Sequence, residues 1–330
     1  MNNFKAYIVH EDAEGKYSGK ICERSFDELP EGNVLIKVQY SSLNYKDVLS
    51  ATGNKGVTRK YPHVPGIDAA GVVAQSNCDD FKAGDHVIVT GYDLGMNTDG
   101  GYQQFIRVPA EWVVRMPVNM NAYEAMSYGT AGFTAAQCVE KLSRVVRPKD
   151  GPVLVSGATG GVGSFAVAIL HKLGYRVMAI TGKSDAEAYL RFLGATEVVG
   201  RSDWEGHTRE AMLKSNIAGG VDTVGGATLE NMIKSVQIHG AVTCCGMISS
   251  PDISLTVFPF ILRGVTLFGI TSQNTRMPER LELWHKLSGE YGVPQLTAMV
   301  TEISLEELPD YIAKMKEGKV TGRVLVNLWK

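Results

Sequence analysis

The residues Val153-Leu154-Val155-Ser156-Gly157-Ala158-Thr159-Gly160-Gly161-Val162-Gly163 carry the clearest structural signal in this chain. The apolar β-branched residues at the start predict a short buried strand, and the glycines predict a tight turn into a helix from Ser164 to Leu173. A backbone bare of side chains lets a pyrophosphate approach, and the free N–H groups and dipole of a helix start attract phosphates. We therefore predict a dinucleotide site at Thr159, Gly160, Gly161, Val162 and Gly163.

The sequence that follows this turn strengthens the interpretation, because a glycine turn alone can also serve packing. Arg176–Thr181 is predicted as a second apolar strand, Ser184–Leu193 as a helix and Thr196–Val199 as a third strand. Ser184 and Glu187 have the spacing of a capping box that would start the helix. Parallel strands joined by helical crossovers form half of a doubly wound sheet.

The rest of the chain divides by composition near residue 121. Strand-like segments such as Val34–Tyr40 and His86–Thr90 precede this point, and the helical segment Ala122–Leu142 follows it. The later predicted elements are Gly220–Val224, Ala241–Cys245, Val265–Ile270, Ala298–Ile303, Leu305–Lys316 and Arg323–Leu328. We predict an α/β chain with a β-rich domain over residues 1–121, completed by 298–330, and a doubly wound parallel-sheet domain over residues 122–297.

Composition narrows the classes of protein to which the chain can belong. A formal net charge of −2 over 330 residues gives no basic field for nucleic acid or an anionic membrane surface. The sequence has no apolar run long enough to cross a bilayer and begins without a secretory pattern, which favours a cytoplasmic protein. Its five cysteines are scattered without a C-x-x-C pair, so we expect buried thiols and no metal site.

The residues after the second strand indicate which dinucleotide binds. Enzymes of this fold that prefer NAD carry an acidic residue about 20 residues beyond the glycines, to bind the ribose 2′-hydroxyl. Here Thr181, Gly182 and Lys183 stand at that distance, and Arg201 follows the third strand. A hydroxyl and two cations suit the 2′-phosphate of NADPH; alternatively, the two cations are solvated loop residues.

Several segments in the correct order resemble the medium-chain dehydrogenase/reductase superfamily, above all its zinc-free branch of acrylyl-CoA reductases and quinone-oxidoreductase-like proteins. The matching segments are 40–47 (YSSLNYKD), 65–71 (PGIDAAG), 129–135 (GTAGFTA), the glycine turn, and 259–264 (PFILRG). The resemblance implies a GroES-like first domain, a Rossmann second domain, an active site in the cleft between them, and a homodimer. It places Asn44 and Ile67 where alcohol dehydrogenases carry a zinc-binding cysteine and histidine, so no zinc is expected.

The resemblance further implies the reaction. Without a Lewis acid, we expect conjugate reduction: hydride adds to the β-carbon of an α,β-unsaturated carbonyl, donors stabilise the enolate, and the α-carbon takes a proton. The expected activity is NADPH-dependent reduction of a short enoyl-CoA, acrylyl-CoA to propionyl-CoA. Two alternatives stay open: an NADPH-dependent quinone oxidoreductase, and a protein that senses NADPH or has a structural role without catalysis.

The residues expected at the reacting centre come from the matching segments. Asn44 is expected to orient a polar group, and Tyr45 to donate a hydrogen bond or to pack on the nicotinamide. Lys46, Asp47 and Asp68 form either part of the chemistry or a charge network that shapes the pocket. The resemblance also implies that Thr130, Met247 and Ser272 line the nicotinamide half of the cofactor, with core packing as the alternative for Met247. Arg323 is expected to face the cleft as part of the cofactor site or, alternatively, to pair with a surface carboxylate.

Overall fold

The computed structural model describes residues 3–206 and 210–330 of the chain. The strands are β1 (Asn3–Glu11), β2 (Tyr17–Ser25), β3 (Val34–Ser42), β4 (Asp68–Ser76), β5 (His86–Thr90), β6 (Phe105–Val108), β7 (Val113–Arg115), β8 (Val153–Val155), β9 (Val177–Thr181), β10 (Ala195–Gly200), β11 (Ile217–Asp222), β12 (Val236–Cys244), β13 (Thr266–Gly269), β14 (Val300–Ser304) and β15 (Arg323–Asn327). The helices are α1 (Tyr45–Ala51), α2 (Ala122–Ser143), α3 (Gly161–Lys172), α4 (Glu187–Phe192), α5 (Arg201–Glu205), α6 (Gly226–Ser235), α7 (Phe258–Arg263), α8 (Met277–Leu287) and α9 (Leu308–Lys316).

Contacts divide the chain into two units. The first unit runs up to Thr130 and includes Gln273–Ser288 and Leu296–Lys330, and the second consists of Ala131–Ser272 and Gly289–Gln295. The division falls inside α2, at the residue after Gly129, whose non-helical backbone interrupts that helix. The domain limits expected from the sequence, with their boundary at residue 121, stay a prediction.

The first unit is built on a mostly antiparallel sheet in the order β14-β15-β3-β4-β5-β7, with β6 paired to β3. Alternate residues of β3, Val34, Ile36 and Val38, are fully buried in the apolar core of this unit, as expected for a strand with one covered face. β15 pairs antiparallel with the end of β3 and parallel with β14. This pairing brings the start of β15 beside the chain segment that leaves β3.

The second unit contains a parallel sheet in the order β10-β9-β8-β11-β12-β13, which confirms the predicted doubly wound arrangement. All three residues of β8 are fully buried, because helices cover both faces of such a sheet. β9 and β10 lie successively beside β8 in parallel register. The carboxyl ends of these three strands therefore lie at one edge of the sheet.

The start of α4 differs from the prediction. The helix begins at Glu187, and Ala186 precedes it in a helical conformation without a side-chain cap, so the Ser184 and Glu187 capping box was wrong. After β9 the backbone turns tightly, with the Lys183 N–H donating to Thr181 Oγ1 at 3.0 Å. Ser184 belongs to the loop between β9 and α4, so it lies too far from the first turn of the helix to cap it.

Within residues 3–206 and 210–330, every helix falls short of the length and apolar character that a bilayer crossing requires.

The cysteines are free thiols, and Cys138 is buried, whereas Cys22, Cys78, Cys244 and Cys245 are half-buried. The expectation of buried thiols therefore holds for Cys138 alone.

Candidate active site

The centre of the candidate active site is the carboxylate of Asp68, the first residue of β4, which is fully buried in the first unit. Its Oδ2 accepts hydrogen bonds from Ser42 Oγ at 2.6 Å, Asn44 Nδ2 at 2.7 Å and the Thr130 N–H at 2.9 Å. Its Oδ1 accepts from Thr130 Oγ1 at 2.5 Å. A buried carboxylate with this many donors is held in one orientation.

Arg323, the first residue of β15, supplies a positive charge next to Asp68. Its Nη2 lies 3.9 Å from Asp68 Oδ2, and its Nη1 donates to the Leu43 carbonyl at 3.0 Å and to Asn44 Oδ1 at 3.2 Å. Burial lowers the pKa of Arg323, whereas the charge of Asp68 acts in the opposite direction. The two side chains form a buried ion pair in which removal of either partner would leave an uncompensated charge.

The amide of Asn44 is committed to this cluster. Its Nδ2 donates to Asp68 Oδ2 and, at 3.2 Å, to the Ser42 carbonyl, and its Oδ1 accepts from Arg323. An amide has two N–H donors, and both are used here. Asn44 can therefore offer a bound molecule an acceptor oxygen and no donor.

Gly129 is required for the close approach of α2 to this cluster. Its φ is +51°, and a Cβ on this residue would lie 2.6 Å from Asp68 Oδ2 and would also clash with Ser42 Oγ. Any side chain here would push Thr130 away from Asp68. The glycine thus allows the Thr130 N–H and hydroxyl to reach the carboxylate.

Asp47 forms a second buried carboxylate in the first turn of α1. Its oxygens accept from the Asn44 N–H at 2.8 Å, the Ile67 N–H at 2.9 Å and the Tyr102 hydroxyl at 2.9 Å. Burial, and next the charge of Asp68, raise the pKa of Asp47 to about 6. Its partners are two backbone N–H groups and one tyrosine hydroxyl. Asp47 therefore links the backbone at Asn44 to the backbone at Ile67 and has a structural role.

Tyr45 and Lys46 occupy the other side of the first turn of α1. Tyr45 is 45% exposed. Lys46 is half-buried, and its Nζ donates to Gln273 Oε1 at 2.8 Å. Burial lowers the pKa of Lys46, and the charges of Asp47 and Asp68 oppose this effect.

The glycine turn lies in the second unit, where Gly160 caps α3 with an extended backbone. Thr159 and Gly163 are buried, Gly161 and Val162 are half-buried, and Gly160 is exposed. A Cβ on Gly163 would lie 2.8 Å from the Cα of Ala158, so the first turn of the helix packs closely on the strand end. The N–H groups that precede the first helical bond, from Ser164 to Gly160, are available to an anion.

A cavity of ≈ 530 Å³ opens at the ends of β9 and β10 in the same unit. Its lining includes Thr181, Gly182, Lys183, Ser184 and Arg201. A Cβ on Gly182 would lie 3.2 Å from Arg201 Cζ, so the guanidinium lies directly over the turn that follows β9. The predicted 2′-phosphate residues are therefore brought together.

The remaining predicted residues lie on chain ends of the second sheet. Met247 follows β12 and is 69% exposed, and Ser272 follows β13 and is half-buried. Arg323, whose role in lining the cofactor stays a prediction, is bonded within the Asp68 cluster. Among the residues that the structure describes, no three His, Cys, Asp or Glu side chains are grouped as metal ligands.

Sequence reasoning missed several members of the cluster. Ser42 lies within the segment that carries the family resemblance, but nothing singled it out from its neighbours. Tyr102 has no motif around it, and Gly129 is one of 36 glycines in the chain. The signal that could have found Gly129 is its place inside a predicted helix, where glycine is disfavoured unless packing requires it.

Comparison with known proteins agrees with this geometry. Residues 30–118 match the alcohol dehydrogenase GroES-like domain family, and residues 161–286 match the zinc-binding dehydrogenase family. Acrylyl-CoA reductase AcuI of Ruegeria pomeroyi is 42% identical over 98% of this chain and 99% of its own. YhfP of Bacillus subtilis, assigned to the quinone oxidoreductases, is 44% identical over 92% of this chain and 93% of its own.

Solved structures similar to this chain contain a bound nicotinamide nucleotide. The structure of Bacillus subtilis yhfP with NAD bound superimposes with a TM-score of 0.97 at 42% identity, covering 99% of this chain and 100% of that one. The structure of the Salmonella enterica yhdH oxidoreductase in complex with NADP superimposes with a TM-score of 0.95 at 39% identity, covering 98% of this chain and 99% of that one. With both of its domains matched and its length shared with these relatives, the chain belongs to the medium-chain dehydrogenase/reductase family of oxidoreductases.

Proposed function

We propose that the protein catalyses the NADPH-dependent reduction of the activated C=C bond of a short enoyl-CoA, with acrylyl-CoA as substrate and propionyl-CoA as product. The observation that carries this proposal is the 42% identity to acrylyl-CoA reductase AcuI over almost the entire length of both chains. The buried cluster around Asp68 and the phosphate-binding geometry of the glycine turn support it.

The residues of the second unit fit NADPH. The bare backbone at Gly160 to Gly163 and the start of α3 would hold the pyrophosphate. Thr181, Lys183 and Arg201 around the 530 Å³ cavity would hold the 2′-phosphate. Thr130, Met247, Ser272 and Tyr45 are proposed to line the nicotinamide, which supplies a hydride when NADPH is bound.

The residues of the first unit would handle the charge that forms on the substrate. Hydride addition to the β-carbon places negative charge on the thioester oxygen as an enolate, which hydrogen-bond donors stabilise. Both N–H groups of Asn44 are already used, so we propose that its Oδ1 accepts a hydrogen bond from the bound substrate and thereby orients it. We propose that the Tyr45 hydroxyl donates the hydrogen bond to the enolate oxygen. Asp68, Asp47 and Arg323 act by fixing Asn44 and the start of α1.

Quinone reduction is the second candidate, because YhfP is assigned to the quinone oxidoreductases and is 44% identical to this chain. A protein that binds NADPH without catalysis is the third. Stopped-flow oxidation of NADPH with acrylyl-CoA, crotonyl-CoA and a panel of quinones separates the three. Turnover of the enoyl-CoA substrates is the expected result; turnover of quinones alone, or tight NADPH binding without turnover, would replace our proposal by the corresponding alternative.

We further propose that the protein is a cytoplasmic homodimer that binds neither nucleic acid nor membrane. The assembly is supported by the edge of the parallel sheet of the second unit, where β13 pairs with β12 on one side only among the described strands. The adjacent helix α7 exposes Phe258, Ile261 and Leu262, with Ile261 72% exposed. An apolar surface beside a free strand edge favours pairing with a second copy. Analytical ultracentrifugation is expected to give a dimer, and to give a monomer for Ile261→Asp.

A further inference from the structure

We propose that Lys46 donates the proton that the α-carbon of the substrate receives, an inference that rests on the proposed function. The ammonium group of Lys46 is half-buried, and its only polar contacts in the described part of the chain are Gln273 Oε1 at 2.8 Å and Met96 Sδ at 4.0 Å. Although Asp47 is its neighbour in sequence, no described carboxylate lies within 4.0 Å of Lys46 Nζ. A half-buried cation without an ion-pair partner is available to a developing negative charge.

The other donors near Asp68 are already committed. The hydroxyls of Ser42 and Tyr102 and both amide hydrogens of Asn44 point at the two buried carboxylates or at the Ser42 carbonyl. Arg323 Nη2 makes no hydrogen bond to a described residue, but it is buried at 3.9 Å from Asp68. Tyr45 and Lys46 are left as donors that solvent or a ligand can reach.

Charge decides between these two groups for the proton transfer. Transfer from the ammonium of Lys46 to an enolate neutralises both charges, whereas transfer from the Tyr45 phenol would only move the negative charge to the enzyme. The transfer that neutralises both charges is favoured over one that leaves a negative charge on the enzyme. Tyr45 therefore keeps the role of a hydrogen-bond donor to the oxygen, and Lys46 protonates carbon.

Gln273 positions the Lys46 ammonium. The Gln273 carbonyl accepts from the Tyr92 N–H at 2.9 Å and from Arg280 Nη2 at 3.1 Å, and its side chain accepts from Lys46. Its neighbour in the chain is Ser272, which is proposed to line the nicotinamide. One N–H of Lys46 is thus fixed at Gln273 and a second points to Met96 Sδ, which leaves one N–H for the substrate.

The charges around Lys46 tune it for this step. Burial lowers its pKa, while the negative charges of Asp47 and Asp68 keep it from losing its proton too readily. The guanidinium of Arg280 donates to the backbone carbonyl of Gln273 and so helps to fix the residue that holds Lys46. A donor whose pKa lies closer to neutrality is a better acid than an ordinary lysine.

The proposed step is balanced. Hydride adds to the β-carbon, and the electron pair of the C=C bond moves into the enolate. One N–H bond of Lys46 breaks and a C–H bond forms at the α-carbon, so the carbonyl is restored. Lys46 is only half-buried, so its neutral amine then takes a proton from solvent water.

Three variants test the assignment: Lys46→Met, Lys46→Arg, and Lys60→Met as a control at an exposed lysine. With acrylyl-CoA we expect kcat to fall by about 10²-fold to 10³-fold in Lys46→Met, and to stay unchanged in the control. The Kd for NADPH should be unaffected in each variant. The alkaline limb of the kcat profile should move to higher pH in Lys46→Arg, because arginine keeps its proton.

A labelling experiment gives a measure that needs no cofactor. Acetic anhydride reacts with the neutral amine, so mass spectrometry should find Lys46 acetylated at lower pH than Lys60. A Lys46→Met enzyme with full kcat for acrylyl-CoA and an unchanged pH profile would overturn the assignment of Lys46 and leave the proposed reaction intact. A wild-type enzyme that reduces no enoyl-CoA would overturn both.

Discussion

Asn44 Nδ2 donates to Asp68 Oδ2 at 2.7 Å, and this bond joins the residue that precedes α1 to the first residue of β4. The amide nitrogen of Asn44 therefore points at the Asp68 carboxylate, and the amide oxygen accepts a hydrogen bond from Arg323. The family resemblance implies that alcohol dehydrogenases carry a zinc-binding cysteine at the position of Asn44. Here the same position is held by a hydrogen-bonded cluster with an ion pair at its centre.

The reacting centre can be tested by Asn44→Ala and Tyr45→Phe. We expect each to lower kcat at saturating NADPH by about 10-fold to 100-fold, because Tyr45→Phe removes the proposed donor to the substrate oxygen and Asn44→Ala removes an orienting amide together with its bonds to Ser42, Asp68 and Arg323. Steady-state kinetics with acrylyl-CoA provide the measurement, and the exposed Asn77→Ala serves as control. Full turnover in both variants would show that the reacting centre lies elsewhere.

Gly129→Ala should disrupt the first unit. The substitution combines a disfavoured φ of +51° with a Cβ at 2.6 Å from Asp68 Oδ2, so we expect a loss of about 3 kcal/mol or more in the free energy of unfolding. Gly174→Ala is the matched control, because Gly174 has a φ of +83° and nothing within 4 Å of a Cβ. Urea denaturation compares them, and equal losses would mean that packing against Asp68 contributes nothing.

Asp47 should make stability depend on pH. Its pKa is about 6 in the folded chain and 3.8 ordinarily, so the folded state binds the proton more tightly between these values. Protonated Asp47 therefore adds up to about 3 kcal/mol to the free energy of unfolding below pH 3.8, and this contribution is lost as the pH rises to about 6.

The comparison that isolates this effect is the unfolding free energy of the wild type minus that of Asp47→Asn. Measured by urea denaturation, this difference should fall between about pH 4 and pH 6 and level off above. A difference that rises over the same range would contradict the raised pKa. Asp79→Asn, at an exposed carboxylate, should show no such trend.

Lys183→Ala combined with Arg201→Ala tests the cofactor. Loss of two charge-assisted contacts to the 2′-phosphate should raise the KM for NADPH by about 10-fold to 100-fold and change the KM for NADH by less than about threefold. Steady-state oxidation of each cofactor supplies the two constants, with the exposed Lys149→Ala as control. Equal effects on both cofactors would remove the two cations from phosphate recognition.

The doubly wound sheet was predictable because its signals are local. Most strands of the second unit are short apolar runs next to a helix or a glycine turn, and parallel strands need helical crossovers of this kind. Helix α8 was missed because Met277–Leu287 is rich in charged residues. The start of α4 was misplaced because a turn that follows β9 competes for the same serine.

The candidate site was predictable in some of its members and not in its bonding. The family segments pointed to Asn44, Asp47, Asp68 and Thr130, the family resemblance added Arg323, and the structure brings these five residues together. The direction of each hydrogen bond depends on three-dimensional packing, so the sequence could not show that Asn44 has no free donor. Nor could it show that Gln273, hundreds of residues from Lys46, receives its hydrogen bond.

The sheet of the first unit is completed by β15, and this strand has a consequence for how the protein is made. Arg323 reaches Asn44 across 279 residues of sequence. During synthesis the chain must therefore be extended as far as β15 before the Asp68 carboxylate meets its counter-charge, whereas the last strand of the parallel sheet of the second unit ends earlier, at Gly269. The parallel sheet of the second unit can therefore form while synthesis continues, and the cluster around Asp68 is completed after it.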